Sequence, residues 1–138
     1  MVVGLVDNEE EEKLFHKLLE YYQLLYPDIG FKTEQKKLDK KELGNLGYTY
    51  AGEESEATAK EKMQMISEAI GHGYNTPIII LQKKKKSILL DGHRRVRVAL
   101  EQGLSWKAYL MIPNKEIEFG IEKMILGKVK DVVKKKKK

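Results

Sequence analysis

The chain has 138 residues, 41% of them hydrophobic and 34% charged, a composition typical of a single water-exposed globular domain. It contains no cysteine, which excludes disulfides, thiol nucleophiles and thiolate metal sites. The net charge of +5 equals the charge of the last five residues, Lys134–Lys138, so the rest of the chain is electrically balanced.

Targeting and membrane signals are missing from the sequence. No apolar run reaches the roughly 18 residues of a membrane-spanning helix, and the start MVVGLVDNEEEEK lacks the basic and apolar regions of a secretion signal. We therefore expect a cytoplasmic protein with no membrane partner. Abundant lysine and glutamate without cysteine is also typical of proteins from hot environments, so a thermophilic source is expected.

The first part of the chain predicts one amphipathic helix over residues 8–26, because its apolar residues recur at spacings of three and four. Asp7 or Asn8 can cap this helix. The glutamates at positions 9–12 lie in its first turn, where the helix dipole favours negative charge, so they need no metal. Residues 31–44 are polar and rich in lysine, which predicts a short helix or an ordered loop.

The rest of the chain alternates strands and helices, which predicts an α+β fold with a small mixed sheet and flanking helices. The unbroken apolar run IIILQ is typical of a buried strand. Lys83–Lys86 predict a charged turn between two strands, more typical of a solvated loop than of a ligand site. The predicted elements are a strand at 46–50, a helix from Ser55 or Thr58 to 70, strands at 78–82 and 87–90, a helix from Asp91 to Gly103, a strand at 107–112 and a helix at 115–126.

We divide the chain into an N-terminal helical extension at 1–44, a main domain at 45–128 and a lysine-rich tail at 129–138. The tail has two interpretations. It is either a disordered, solvated segment or an electrostatic handle for DNA or RNA, in which case binding would weaken with salt.

Arginine is confined to one place in this sequence. All three arginines, Arg94, Arg95 and Arg97, follow the turn Asp91-Gly92-His93, whereas the other 23 of the 26 basic residues are lysines. A helix that begins here presents backbone N–H groups and the positive end of its dipole, which together attract anions. Glycine allows a phosphate to approach the backbone, histidine adds a pH-dependent donor, and arginine binds phosphate oxygens in pairs. The turn therefore predicts a phosphate site formed by Gly92, His93, Arg94, Arg95 and Arg97.

Asp91 leaves two alternatives open. As the cap of the following helix it would repel a second anion, and Arg94 and Arg95 would then be solvated surface residues. If phosphate does bind, Asp91 is best explained as a ligand of a bridging Mg²⁺, which takes carboxylate and phosphate oxygens together.

These residues carry a resemblance to a known family. The stretch SEAIGHGYNTPIIILQKKKKSILLDGHRRVRVALEQGLSWKAYLMI resembles the ParB/sulfiredoxin superfamily over residues 46–112, about half of the chain. Members of that superfamily have a helix, a loop ending in a residue–proline pair, two strands and a G-x-H/R-R turn that opens a helix. The DGH-x-R form with a following A-L-x-x-G is most similar to the ParB-like nucleotide-binding proteins, including the free serine kinases of archaea.

The resemblance implies a nucleotide such as ADP, ATP or CTP, with its phosphates on the Gly92–Arg95 turn and its base or ribose near Asn75 and Thr76. In the serine-kinase branch a glutamate ahead of the first family helix is the base, and Glu53 and Glu54 are the candidates here. This acidic pair is otherwise a polar lead into a helix. Sulfiredoxin activity requires a cysteine that this chain lacks. A partition protein continues into a helix-turn-helix domain, for which we expect this chain to be too short.

Two hypotheses follow. The first is a Mg²⁺-dependent phosphotransferase or nucleoside-triphosphate hydrolase, with Asp91 on the metal, Gly92–Arg95 on the phosphates and Glu53 or Glu54 as the base. The second is a non-catalytic module that binds a nucleotide, DNA or RNA through the same turn and regulates a partner. Nuclease activity has no carboxylate–histidine cluster to support it in this sequence.

Overall fold

The computed structural model describes residues 5–49 and 56–136. The α-helices are α1 (Asn8–Leu25), α2 (Lys40–Gly44), α3 (Glu56–Ile70), α4 (His93–Gln102) and α5 (Val129–Lys136). The strands are β1 (Phe31–Leu38), β2 (Gly47–Tyr48), β3 (Ile78–Gln82), β4 (Ser87–Asp91), β5 (Trp106–Pro113) and β6 (Gly127–Lys128). A short 3₁₀ helix covers Gly120–Met124.

The strands form one mixed sheet in the order β1-β5-β3-β4-β2-β6. The β3–β5 and β2–β4 pairs are parallel, whereas β1–β5, β3–β4 and β2–β6 are antiparallel. The predicted α+β class with a mixed sheet and flanking helices is therefore confirmed. No helix in the two described ranges is long and apolar enough to cross a membrane.

The central strands are buried on both faces of the sheet. Ile78 and Ile80 of β3 contact a core layer that includes side chains from α2, α4 and α5, and we call this side the α4 face. Ile79 and Leu81 contact the other layer, which contains α1 side chains and Phe119, and we call this side the α1 face. A strand covered on both faces has no polar side to show, which explains the unbroken apolar run. Helix α3 lies outside α4.

Helix α1 confirms the first predicted element and settles its cap. The Asp7 carboxylate accepts a hydrogen bond from the Glu10 backbone N–H, and the Glu10 carboxylate accepts one from the Asp7 N–H, which is a capping box. The helix-dipole explanation covers only part of the glutamate run, because Glu11 points inward and is completely buried.

Two predicted elements differ from the structure. The segment 31–44, predicted as a short helix or an ordered loop, contains the short helix α2 at its end, but residues 31–38 form strand β1, paired along its whole length with β5. Its central residues are exposed, so the alternating apolar pattern that identifies a strand is absent. Residues 115–126 form only the 3₁₀ turn instead of a helix, although Ile117, Ile121 and Ile125 pack towards the α1 face. Specific contacts hold this segment: the Gly120 N–H donates to the Tyr26 hydroxyl, and Glu122 accepts from Lys83.

The segment 129–138 is interpreted from the sequence as a tail, but its residues 129–136 form a helix. Val129 is buried in the α4-face core, and helix α5 continues from it to Lys136. The N-terminal segment 1–44 likewise contributes β1 and α2 to the main sheet and its covering layer. The described parts of both segments therefore take part in the same core as residues 45–128.

Candidate functional site

The turn between β4 and α4 has a backbone that only glycine adopts readily. Gly92 has φ of +106°, and a Cβ atom added there would lie 2.5 Å from Cγ2 of Ile78. Gly92 is also the N-cap position of α4, so no side chain is available there to cap the helix. Glycine is therefore required by the fold itself, in addition to any role in admitting a phosphate.

Arg95 lies in the interior, with 5% of its surface exposed, and both terminal nitrogens of its guanidinium are hydrogen-bonded to the protein. Nη2 donates to Glu11 Oε2 at 2.9 Å and to Asp91 Oδ2 at 3.0 Å. Nη1 donates to the backbone carbonyl oxygens of Pro77 at 2.5 Å and Thr76 at 3.3 Å. Arg95 therefore joins α1, the lead into β3, and both sides of the turn.

This network corrects two alternatives drawn from the sequence. Arg95 is not a solvated surface residue, because it is buried. Asp91 is not the cap of α4, because Gly92 occupies that position and the Asp91 carboxylate is turned towards Arg95. Arg95 therefore holds the turn in place, and it also lies in the lining of the cleft beside the turn.

Glu11 gives the network an unusual protonation state. Burial, together with the neighbouring Asp91 carboxyl, raises the pKa of the Glu11 carboxyl to about 8, although Arg95 opposes the shift. Near pH 7 Glu11 therefore keeps its proton. The guanidinium of Arg95 then balances the charge of Asp91 alone, and no net charge is buried beneath the turn.

A cleft of about 130 Å³ opens beside the turn. Its walls carry Lys62 of α3, Asp91, Gly92 and Arg94. The N-terminal segment closes one side, where the Tyr74 hydroxyl donates to the Val6 carbonyl oxygen at 2.8 Å. Two cationic side chains from different helices, the backbone of a helix N-terminus and one carboxylate thus meet in one small space.

His93 and Arg97 lie one turn apart on α4. Burial lowers the pKa of His93 below its ordinary 6.5, with Asp91 opposing and the three arginines adding to the effect, so the imidazole is neutral near pH 7. Arg97 has two buried nitrogens, Nε and Nη2, that find no acceptor among residues 5–49 and 56–136. A buried donor without an acceptor costs about 1–3 kcal/mol, more when it is charged. Arg97 is therefore a group that an oxyanion would stabilise.

Asn75 and Thr76 are not brought to the cleft. Thr76 is buried and its hydroxyl donates to Asn8 Oδ1 at 2.7 Å, while its carbonyl oxygen accepts from Trp106 Nε1 at 2.7 Å. Asn75 is exposed and lines a separate hollow of about 220 Å³ on the other side of Tyr74. Leu5, Val6 and Tyr74 line both spaces, so the two are neighbours.

Of the residues predicted as general base and as metal ligand, only Asp91 lies in the described part of the chain. Glu53 and Glu54 lie outside the described residues. Asp91 is the carboxylate of the cleft, with 35% of its side chain exposed, and only Oδ2 is bound to Arg95. No cluster of three or more acidic or histidine side chains suited to a metal occurs within the described ranges. A cation at Asp91 would therefore take most of its ligands from phosphate and water.

Sequence reasoning missed Glu11, Lys62 and Tyr74. Glu11 had a usable signal, because it lies four residues before Phe15 and thus continues the apolar stripe of α1. A carboxylate on a buried stripe requires a partner, and a buried arginine is the ordinary one. Lys62 and Tyr74 had no comparable signal, since their position depends on how α3 packs against α4.

Comparison with protein-family models and with curated proteins gives no match for this chain. The likeness to the ParB/sulfiredoxin superfamily thus rests on the residues themselves.

Proposed function

We propose that the cleft beside the β4–α4 turn binds the phosphate group of a nucleotide. Backbone N–H groups at the start of α4 would contact phosphate oxygens, and the dipole of this ten-residue helix adds a favourable field. Lys62 and Arg94 supply charge from two sides of the cleft. His93, neutral near pH 7, contributes one further donor.

The observation that carries this proposal is the different situation of the three arginines. Arg95 is bonded to four protein acceptors and fixes the turn. Arg94 lines the cleft, and Arg97 keeps two buried nitrogens without an acceptor among the described residues. An oxyanion bound beside the turn would give the two buried nitrogens of Arg97 the acceptor that the described residues do not supply.

The size of the cleft indicates which part of the ligand enters it. Pockets for small molecules occupy about 300–1,000 Å³, whereas this cleft holds about 130 Å³. It therefore suits a phosphate and not a complete nucleotide. The ribose and base would lie across Tyr74 in the neighbouring hollow, where Asn75 offers an amide and the buried Thr76 lies behind it.

The likeness to ParB-like nucleotide-binding proteins extends the proposal to phosphoryl transfer. Asp91 Oδ1 would hold Mg²⁺ together with phosphate oxygens and water, and the metal would neutralise developing phosphate charge. Glu53 or Glu54 would accept the proton of an attacking hydroxyl or water. The terminal phosphorus would bond to that oxygen as its bond to the leaving phosphate oxygen breaks. Asp91 and one glutamate are thus the proposed catalytic residues.

The alternative is a regulatory module that binds the nucleotide without turnover. One observation favours the regulatory module. The buried pair of Arg95 and Glu11 gives the turn a rigid base, but neither residue places a catalytic group in the cleft. Both versions share the phosphate site and the expected cytoplasmic location, and they differ in whether the nucleotide is consumed.

Calorimetry and thermal unfolding with ADP, ATP, CTP and GTP, with and without Mg²⁺, test the phosphate site. The variants are Arg94→Gln and Arg97→Gln, and Lys17→Gln on the exposed side of α1 is a control that removes the same charge elsewhere. A ligand at 100 times its Kd stabilises the native state by about 2.7 kcal/mol. We expect this gain in the wild type and the control but not in the two arginine variants. Equal gains in all four proteins would refute the site.

Turnover is tested separately by following the nucleotide phosphates with ³¹P NMR in the presence of hydroxyl-bearing amino acids. Glu53→Gln and Glu54→Gln are compared at saturating nucleotide. Loss of turnover with unchanged binding in one of them would support phosphoryl transfer. Nucleotide that binds but stays intact under all conditions would leave the regulatory module as the function.

A further inference from the structure

A second cationic surface lies at the opposite end of β4 from the phosphate turn. The β3–β4 hairpin ends in Lys83–Lys86, and a groove of about 590 Å³ opens between this hairpin and α2 on the α4 face of the sheet. We call this space the hairpin groove. Its volume lies within the 300–1,000 Å³ of ordinary ligand sites, unlike the cleft beside the turn.

The hairpin groove carries unbalanced positive charge. Lys84, Lys85, Lys86 and Lys128 line it, and none of them forms an ion pair with a described acidic residue. The one carboxylate in the lining, Glu42, is already bound by Lys36 at 2.9 Å. The groove therefore carries an excess of positive charge, because its one carboxylate, Glu42, is already neutralised by Lys36.

The hairpin is fixed in position from the other face of the sheet. Lys83 donates to both carboxylate oxygens of Glu122, at 2.8 and 3.0 Å, and only 10% of its side chain is exposed. The Lys84 backbone N–H donates to Glu116 Oε1 at 2.8 Å. A simple solvated loop needs no such anchoring. The three lysines that follow Lys83 remain exposed.

The sheet brings Lys128 towards the same end. Lys128 of β6 is opposite Gly47 of β2, and Gly47 is opposite Ile88 of β4. Two strand spacings, about 10 Å, therefore separate Lys128 from the start of β4. Helix α5 starts at the next residue, and Lys130 lies against Gly44 of α2, 3.2 Å from the position of an added Cβ.

The hairpin groove also carries two uncharged polar side chains, the amides of Asn45 and Gln82. Leu38, Ile80 and Leu110 lie beneath it but are 6%, 1% and 1% exposed, so they offer a ligand almost no apolar surface. No described residue hydrogen-bonds to the two side-chain amides. Unpaired amides surrounded by lysines match a group with exposed hydrogen-bonding edges and flanking negative charges. An unpaired nucleobase with its phosphates has that chemistry.

We propose that the hairpin groove binds single-stranded nucleic acid, with the edge of one base on the amides of Asn45 and Gln82 and the neighbouring phosphates on Lys84, Lys85, Lys86 and Lys128. The pairing edges of duplex bases are already occupied, so a duplex would use the lysines alone. The site is separate from the phosphate turn and does not depend on the nucleotide proposal.

Fluorescence anisotropy with labelled 12-mers of poly-U and poly-dT, and a duplex of the same length, tests this site over a salt series. Each neutralised phosphate contributes about −0.7 to the slope of log K against log salt for single strands. Four lysines therefore predict a slope of about −3. The variant Lys84→Gln/Lys85→Gln/Lys86→Gln should lose about two units of that slope and at least tenfold in affinity.

The control is Lys17→Gln/Lys37→Gln/Lys107→Gln, which removes three exposed charges from α1 and the opposite face of the β1–β5 ladder. It should bind like the wild type. Asn45→Trp, which fills the groove and keeps its charge, should weaken single strands and leave the duplex unchanged. Melting temperatures verify that all variants fold.

Three results would overturn the proposal. They are equal affinity for duplex and single strands, an unchanged slope in the hairpin variant, and loss of binding only when Lys134–Lys138 are replaced by glutamine. The last result would assign binding to the final lysine run instead of the groove. Retained binding in Arg94→Gln would show that the groove acts independently of the phosphate turn.

Discussion

The buried proton on Glu11 predicts an unusual pH dependence of stability. The ordinary pKa of this carboxyl is 4.5, and burial raises it to about 8 in the native state. Between these values the native protein holds a proton that the unfolded chain releases. The free energy of unfolding is therefore highest, as far as this group contributes, below pH 4.5 and falls as the pH rises towards 8. The slope is about 1.4 kcal/mol per pH unit.

Glu11→Gln isolates this effect. Glutamine keeps an oxygen that accepts from Arg95 Nη2 but has no proton to release, which removes the titration and preserves the contact. From pH 5 to pH 7 we expect the wild type to lose about 3 kcal/mol relative to the variant, since two pH units lie inside the window. The variant should therefore be the more stable protein near pH 8. Glu12→Gln, whose parent side chain is 61% exposed, is the control and should follow the wild type.

Urea unfolding followed by tryptophan fluorescence provides the measurement. Trp106 is the single tryptophan and is 5% exposed, so it reports on the core next to the network. The free energy of unfolding is measured at pH 5, 6, 7 and 8, and the difference between Glu11→Gln and wild type is plotted against pH. A difference that is constant across this range would refute the reasoning. It would mean that Glu11 is ionised in the native state and forms a plain ion pair with Arg95.

Three further substitutions test the structural basis of the site, each by urea unfolding. Gly92→Ala should lose at least about 1–3 kcal/mol, because alanine disfavours φ of +106° and its methyl group would overlap Ile78; wild-type stability would show that the turn relaxes. Arg95→Met should lose about 3–5 kcal/mol by leaving buried carboxyl groups unpaired, and a loss under 1 kcal/mol would contradict the buried network. Lys83→Gln should lose about 1–3 kcal/mol with its bonds to Glu122; an unchanged value would make the hairpin anchor unimportant.

Sequence patterns predicted the centre of the fold well for an identifiable reason. The elements α3, β3, β4 and α4 contribute apolar side chains to the core, and burial imposes the periodicity that identifies them. Strand β1 was not predicted because it is an edge strand whose stability comes from backbone pairing with β5. The helix predicted at residues 115–126 was wrong because isoleucine at every fourth position also suits an irregular segment that packs across a sheet.

The candidate site was predicted in outline but not in its internal arrangement. Sequence reasoning located the turn, the glycine and the arginine cluster, and the structure places Asp91, Gly92 and Arg94 around one cleft. It did not distinguish Arg95 from its neighbours, because the distinction depends on a partner 84 positions away in α1. Pairing between distant segments leaves a signal only when a charged residue interrupts an apolar stripe, as Glu11 does.

The composition of β1 has a consequence for the behaviour of the protein at high concentration. An unpaired strand at the border of a sheet is a template on which other chains can add, which leads to fibres. Here that border is occupied by Phe31–Leu38, whose six central residues, KTEQKK, are all exposed and include three lysines. Strand β6 at the other border is only two residues long. Both borders therefore discourage strand addition, and the apolar β5 stays shielded from polymerisation as long as β1 remains paired to it.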